Sequence, residues 1–244
     1  DADTDTDVQI VRFIAMGDGG EGNADQYTNA AAVKQVCEAK TDDDPGCDFV
    51  LYLGDNFYNN GVESVDDEQF QSKFELPYAD LDLPFYVVLG NHDYGELSLD
   101  AWRIEYQVQY SDQSDKWTMP DEFYSFVEDH VEFYGLDTNA IMVESVLGDT
   151  GQSTWFQGLL AASTSTWKIA FGHHPYISNG RHGNAGNYEG LTWLPVVNGE
   201  SVKDFAEDQI CQNVDLYVCG HDHNRQWMQP TCGTEFIVIG SAAK

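Results

Sequence analysis

Basic residues are scarce in this chain. Eleven lysines and arginines stand against 42 aspartates and glutamates in 244 residues, for a formal net charge of −31. That balance argues against a nucleic-acid duplex or an anionic membrane as the natural partner, since both are bound through clustered positive side chains. Long apolar runs are missing too, and none nears the ~18 residues a membrane span requires. In place of an apolar leader the chain opens on Asp1-Ala2-Asp3-Thr4-Asp5-Thr6-Asp7, which reads as an exposed acidic tail at the start of a processed chain. No Asn-x-Ser/Thr acceptor occurs, which fits a prokaryotic exported protein better than a eukaryotic one. No cysteine spacing suits a zinc knuckle, and no repeat or linker interrupts the sequence beyond the tail.

What is present is a globular composition. Hydrophobic residues make up 42% of the chain, and aromatics are plentiful. One large domain over residues 8–244 is the expectation. Of the five cysteines, Cys37 and Cys47 flank a short Asp- and Pro-rich stretch, and Cys211 and Cys232 flank a strand-turn-strand stretch. Cys219 ends the apolar run Leu216 to Cys219 and reads as a buried thiol. Two disulfides and one free thiol fit an oxidising compartment, so a secreted, periplasmic or cell-surface location is expected, although spacing leaves the pairing open. The acidic residues read as a solvated shell that gathers cations and repels phosphate. An anionic substrate must therefore be drawn in by local positive charge.

In chain order, a strand over Val8 to Met16 precedes a helix over Asp25 to Ala39, with Val33 and Val36 on one face. Strand Phe49 to Leu53 is followed by a helix over Asp66 to Phe74, and strand Phe85 to Leu89 by an aromatic helix over Trp102 to Tyr110. Glu122 to Val127 and Val131 to Leu136 read as a hairpin with an exposed His130 at its turn. A core-facing helix over Thr150 to Ala162, strand Trp167 to Phe171, a glycine-rich loop over Ser178 to Tyr188, helix Val202 to Gln212 and strands Leu216 to Cys219 and Phe236 to Ile239 complete the chain.

The second strand carries the most telling stretch, Gly54-Asp55-Asn56-Phe57-Tyr58. Gly-Asp after a strand is ordinarily a turn. Here, however, a phenol follows the carboxylate at the third position. An aspartate can bridge two metal ions through its two oxygens, and a phenolate is a hard donor suited to ferric iron. The pattern recurs. Five apolar runs stop at glycine and are followed by Asp18, Asp55, Asn91, His173 and the pair His221 and His223. In an open α/β sheet, ligands gather outside the carboxyl ends of the strands, so these side chains can converge. A single histidine of this kind is more often a satisfied core residue; five such strand ends together point to a metal site.

This set resembles the calcineurin-like metallophosphoesterases, and GDNFY, PFYVVLGNHD, FGHHP and CGHDHN make it similar to purple acid phosphatases of the small, mammalian tartrate-resistant type. The resemblance runs from about Val8 to Ala242. It implies an α/β fold, a four-layer αββα sandwich of two mixed β-sheets flanked by helices. It also implies a ferric site of Asp18, Asp55, Tyr58 and His223, and a divalent site (iron, zinc or manganese) of Asp55, Asn91, His173 and His221. The activity implied is hydrolysis of phosphate monoesters by a metal-bound hydroxide, with the two metals about 3.5–4 Å apart. His92 and His182 match the family's histidines that contact phosphate and protonate the leaving group, while Arg181 reads as a solvated arginine. Phosphorylated small molecules or phosphoproteins are the expected substrates, inorganic phosphate the product, and a monomer the expected state.

The sequence departs from that family in three places. His174 stands where an aromatic is usual, which bears on the packing behind the ligands. Met142 to Gln152 is short where the mammalian enzymes carry a long repressive loop, so activity without proteolytic cleavage is expected. The family continues past Gly240-Ser241-Ala242 with further strands, so a chain shortened at its C-terminus is expected and completion of the second sheet is open. A phosphodiesterase or nucleotide-cleaving enzyme on the same metal core is the alternative within enzymes. A metal- or phosphate-binding protein without turnover is the alternative outside them.

Overall fold

Two sheets face each other, and helices cover both outer surfaces. The computed structural model describes residues 10–39, 46–95, 100–194 and 196–244, so the acidic tail and the start of the expected first strand lie outside the described residues. The smaller sheet is parallel throughout rather than mixed as expected, because a helical crossover joins each strand to the next, and its order is β1 (Phe13–Met16), β2 (Phe49–Leu53), β3 (Phe85–Val88), β4 (Trp117–Thr118). The larger sheet is mixed. Its order is β5 (Tyr124–Glu128), β6 (Val131–Gly135), β7 (Trp167–Phe171), β8 (Leu216–Cys219), β10 (Glu235–Ile239), β9 (Arg225–Trp227). Its four central strands are parallel, and the edge strands β5 and β9 are antiparallel to their neighbours.

Alternation along each strand builds the layers. All five residues of β2 are buried. Phe49 reaches the other sheet, its ring centroid 5.2 Å from Phe133 and 5.6 Å from Phe126, while Tyr52 points the opposite way, 6.1 Å from Phe74. Helices α1 (Ala24–Glu38), α2 (Glu68–Phe70, extended by a π-helical turn over Gln71–Glu75) and α3 (Ile104–Tyr110, preceded by a 3-10 turn over Ala101–Arg103) lie on the side of the smaller sheet. Helices α4 (Thr138–Leu147), α5 (Gln152–Ala162) and α6 (Glu200–Phe205, extended by a π-helical turn over Ala206–Ile210) serve the larger one, where Phe156 packs on Tyr134 and Phe205. Cys37–Cys47 and Cys211–Cys232 are disulfides, and Cys219 is a buried free thiol.

Two expectations fail for local reasons. On α1 the inward stripe runs through Gln26, Ala30, Val33 and Cys37, spaced as one helical face, and it leaves Val36 exposed. His130 is half-buried rather than exposed, with its Nδ1 enclosed and unpartnered. Its carbonyl accepts the backbone N–H of both Thr166 (2.9 Å) and Trp167 (3.1 Å), which pulls the hairpin turn onto the start of β7.

Candidate metal centre

Each expected ligand lies just past the C-terminal end of a parallel strand. Asp18 follows β1, Asp55 and Tyr58 follow β2, Asn91 follows β3, His173 follows β7, and His221 and His223 follow β8. Asp18, Asp55 and His221 hold left-handed backbone, with φ of 61°, 53° and 70°. That conformation is costly for non-glycine residues and clusters where a site demands it. The ring is drawn tight by close backbone approach. A Cβ on Gly90 would meet the Asp55 nitrogen at 2.2 Å and its Oδ1 at 2.3 Å, and one on Gly54 would meet His173 Nδ1 at 2.8 Å.

The side chains form two groups on either side of Asp55. In the first, Tyr58 Oη donates to Asp18 Oδ1 at 2.9 Å and lies 3.3 Å from His223 Nε2, itself 3.3 Å from Asp18 Oδ1. In the second, His173 Nε2 lies 3.1 Å from His221 Nδ1, 3.2 Å from Asn91 Oδ1 and 3.5 Å from Asp55 Oδ1. Asp18, Asp55 and His173 each offer one ligand atom within 4.8 Å of the other two, which joins the groups.

This donor set fits cations. The Leu53 carbonyl, 2.9 Å from His173 Nδ1, holds the proton there, so Nε2 turns its lone pair toward two oxygens and a nitrogen. Protonating that atom relieves the crowding. The pKa of His173 is accordingly raised: burial lowers it, but the carboxylates of Asp55 and Asp18 outweigh burial. A metal ion does the same work as that proton. Burial, helped by the flanking carboxylates of Asp55 and Asp18, pushes the Tyr58 phenol far up and keeps it neutral until a strong cation is present. Burial also raises Asp18, against the opposing pull of His223 and His173. His221 is driven down by burial and by four neighbouring histidines, which keeps it a neutral donor.

A supporting layer fixes these ligands: Asp93 and Asp222, which stand inside the quoted motifs but carry no sequence signal of a role, and His174, expected to bear on the packing behind them. Asp93 accepts backbone N–H groups of Gly90 (2.8 Å), Asn56 (3.1 Å) and Phe57 (3.2 Å) and the Gln107 amide (3.1 Å), so it ties the β2 loop to the β3 loop. Burial and the Asp55 charge raise its pKa to about 7. Asp222 accepts the His182 N–H at 2.9 Å and the Ser178 hydroxyl, so it carries the glycine-rich loop. His174 is buried against Thr138, 2.8 Å from its Oγ1, and its pKa is driven well down by burial and then by His173 and His182.

Above the ligands lies an open cleft of about 340 Å³ lined by Asp55, Asn91, His92, Arg181, His182 and Glu189 among others. Nδ1 of His92 lies 2.6 Å from the Asn59 carbonyl, and its ring centroid is 4.6 Å from that of Tyr58. Nδ1 of His182 is hydrogen-bonded to the Glu189 carboxylate, and its ring lies 4.3 Å from that of His221. Of the nine expected site residues, Asp55, Asn91, His92, His182, His221 and His223 line this cleft, and Asp18, Tyr58 and His173 are buried and reach it only through their contacts with those ligands. The Glu189 contact had no signal in the sequence, because the loop must fold before the two meet.

Comparison with known proteins agrees with this geometry. Residues 7–225 match the calcineurin-like phosphoesterase family. The chain is 31% identical to Homo sapiens tartrate-resistant acid phosphatase type 5, over 95% of this chain and 72% of that protein. It is also 31% identical to Arabidopsis thaliana purple acid phosphatase 3, over 96% of this chain and 63% of that one. Among solved structures, Plasmodium GAP50, described as the anchor in the inner membrane complex, superposes with a TM-score of 0.70 at 23% identity, covering 96% of this chain and 72% of that chain. Yellow lupin purple acid phosphatase PPD1 gives 0.64 at 16% identity, covering 96% and 44%. With the family match spanning most of its length and its curated relatives named as acid phosphatases, the chain belongs to the calcineurin-like phosphoesterases and, within them, to the relatives of the purple acid phosphatases.

Proposed function

We propose that this chain is an acid phosphatase that hydrolyses phosphate monoesters at a dinuclear centre of one ferric and one divalent ion. Asp18, Asp55, Tyr58 and His223 would hold the ferric ion, and Asp55, Asn91, His173 and His221 would hold the divalent one. The observation that carries this reading is the pair of donor groups meeting at Asp55, directly beneath a cleft that also holds His92 and His182. Bound there, two metal ions supply a positive field for a phosphoryl oxygen and acidify the attacking water.

The residues do the rest. Asp18, Asp55 and Tyr58 bring fewer negative charges than a ferric and a divalent ion bring positive ones. The loaded site therefore draws phosphate in through the acidic shell. His92 and His182 each have Nδ1 engaged, by the Asn59 carbonyl and the Glu189 carboxylate, which leaves Nε2 as the atom that exchanges a proton with the ester. The two disulfides support an exported protein that works in an oxidising compartment.

The deciding experiment is a visible spectrum with metal analysis, before and after Tyr58→Phe, alongside hydrolysis of p-nitrophenyl phosphate and its bis ester. A band in the middle of the visible range that vanishes in the variant, with the monoester preferred, supports the reading. A colourless protein that prefers the diester would replace it with a diesterase. Protein that stays inert after metal reconstitution would leave only a binding role.

A further inference from the structure

The cleft over the metal centre continues into a second pocket of about 230 Å³, with which it shares Asn91, Glu189 and His221. Beyond those residues the walls change character. Asn139 and His174 line it near the shared residues, Met142 and Val143 of α4 and Val196 and Val197 from the segment before α6 form apolar walls, and none of its lining residues is a lysine or arginine. Tyr188 also lines it; this residue is buried with its hydroxyl bonded to the Pro175 carbonyl, so its ring is the surface it offers. One helical turn further along α4, Val146 and Leu147 are 68% and 74% exposed, and Trp193, just before the opposite wall, is 75% exposed. Single exposed apolar side chains are ordinary. Their concentration beside a catalytic cleft, on a chain with so many charges, marks a contact surface.

We propose that this pocket receives the alcohol side of the phosphate ester, and that the chain favours esters of unbranched alkyl alcohols. The inference rests on the phosphatase reading above. It follows from three features together: the pocket opens directly off the metal ligands, its far walls are apolar, and the only charged residue among its lining side chains other than the histidines is the anionic Glu189, which disfavours a second phosphate. An apolar cavity of about 150 Å³ already accepts benzene. Along each apolar wall the chain carries further exposed apolar side chains, Val146 and Leu147 one turn after Val143 on α4 and Trp193 three residues before Val196, and such extended walls suit an alkyl chain better than a single ring.

The test compares ethyl phosphate with hexyl phosphate on the metal-loaded protein. The two alkoxide leaving groups are equally basic, so the ratio of their kcat/KM values reads the pocket. Four added methylenes predict a preference for hexyl phosphate of about tenfold if half buried and about two-hundredfold if fully buried. Val143→Asp and Val197→Asp, one on each apolar wall, should bring the ratio to about one. Val197 is 41% exposed, so its replacement can reach water in the folded protein. Calorimetric affinities for ethylphosphonate and hexylphosphonate supply a readout free of turnover. Equal efficiency on both esters in the unmodified protein, or a preference that survives in both variants, overturns the proposal; a second copy or another segment of the chain seated in the pocket would produce the first result. Tighter binding of hexylphosphonate without hydrolysis of either ester would keep the pocket and sink the phosphatase reading.

Discussion

Asp222 stands in sequence between His221 and His223, yet its Oδ1 accepts the backbone N–H of His182, at 2.9 Å. The other oxygen accepts the Ser178 hydroxyl, so one buried carboxylate anchors both ends of the turn that holds His182 over the cleft. Asp222→Ala should cost about 2–4 kcal/mol of stability, from two charge-assisted hydrogen bonds. It should also lower kcat more than it raises KM. Asp222→Asn, which keeps an acceptor, should recover much of both. Denaturant midpoints and steady-state kinetics at equal metal content check this.

His92 and His182 have their free Nε2 atoms available for proton transfer. Replacing either with alanine should slow hydrolysis of alkyl phosphates by about a hundredfold or more. The loss should be much smaller for p-nitrophenyl phosphate, whose leaving group departs without a proton. An equal loss on both substrates would assign these histidines to binding instead.

Asp137, which is not one of the candidate ligands, gives a separate pH signature. It caps α4 by accepting the N–H groups of Asn139 and Ala140, both at 3.0 Å, and it bonds to the Tyr94 hydroxyl. Burial raises its pKa to about 6 from 3.8. The folded state therefore holds the proton more tightly than the unfolded state does. The associated stability is fully present below pH 3.8 and is lost as pH rises through about 6, a swing of roughly 3 kcal/mol. Asp137→Asn keeps the cap and removes the titration. The stability of the unmodified protein relative to this variant should fall between pH 4 and 7, as measured by urea unfolding of metal-free protein.

Two glycines make opposite predictions. A Cβ at Gly90 collides with Asp55, the residue proposed to bridge both metals, so Gly90→Ala should remove both. Gly158, in the middle of α5, has nothing within 4 Å of its would-be Cβ. Gly158→Ala should stabilise the protein by about 0.8–1 kcal/mol and leave metal content unchanged. Metal analysis and thermal unfolding of the two variants suffice.

Beside the cleft, only residues 148–151 separate α4, which ends at Leu147, from α5, which begins at Gln152. Limited proteolysis with a broad-specificity protease should therefore leave activity level or lower it. A several-fold rise would show that some part of the chain represses the site.

The candidate ligands could be read from sequence because each is announced locally, by an apolar run, a glycine and a polar side chain. The supporting carboxylates could not. Asp93 and Asp222 look like ordinary loop acids, and their burial depends on backbone donors 36 to 40 residues away. Helix α4 escaped notice because its N-cap, Asp137, follows directly on a strand and its Ile141-Met142-Val143 run carries no clear helical face. Strands β4 and β9 escaped for a different reason. They span two and three residues, and only their neighbours make them strands. Glu189 meets His182 through a loop closure that no period encodes.

The left-handed backbone at Asp18, Asp55 and His221 has an evolutionary side. Each of these residues gives up roughly 1 kcal/mol or more that glycine would retain at the same φ. Asp18 and Asp55 are buried charges as well. Selection for hydrolysis must therefore hold these positions against a standing pressure toward sturdier, inert sequences. Once that selection lapses, the first tolerated changes should fall on the ligands themselves, and the descendants should keep the two-sheet frame, lose the metals and melt at higher temperature than their enzymatic ancestor does without its metals.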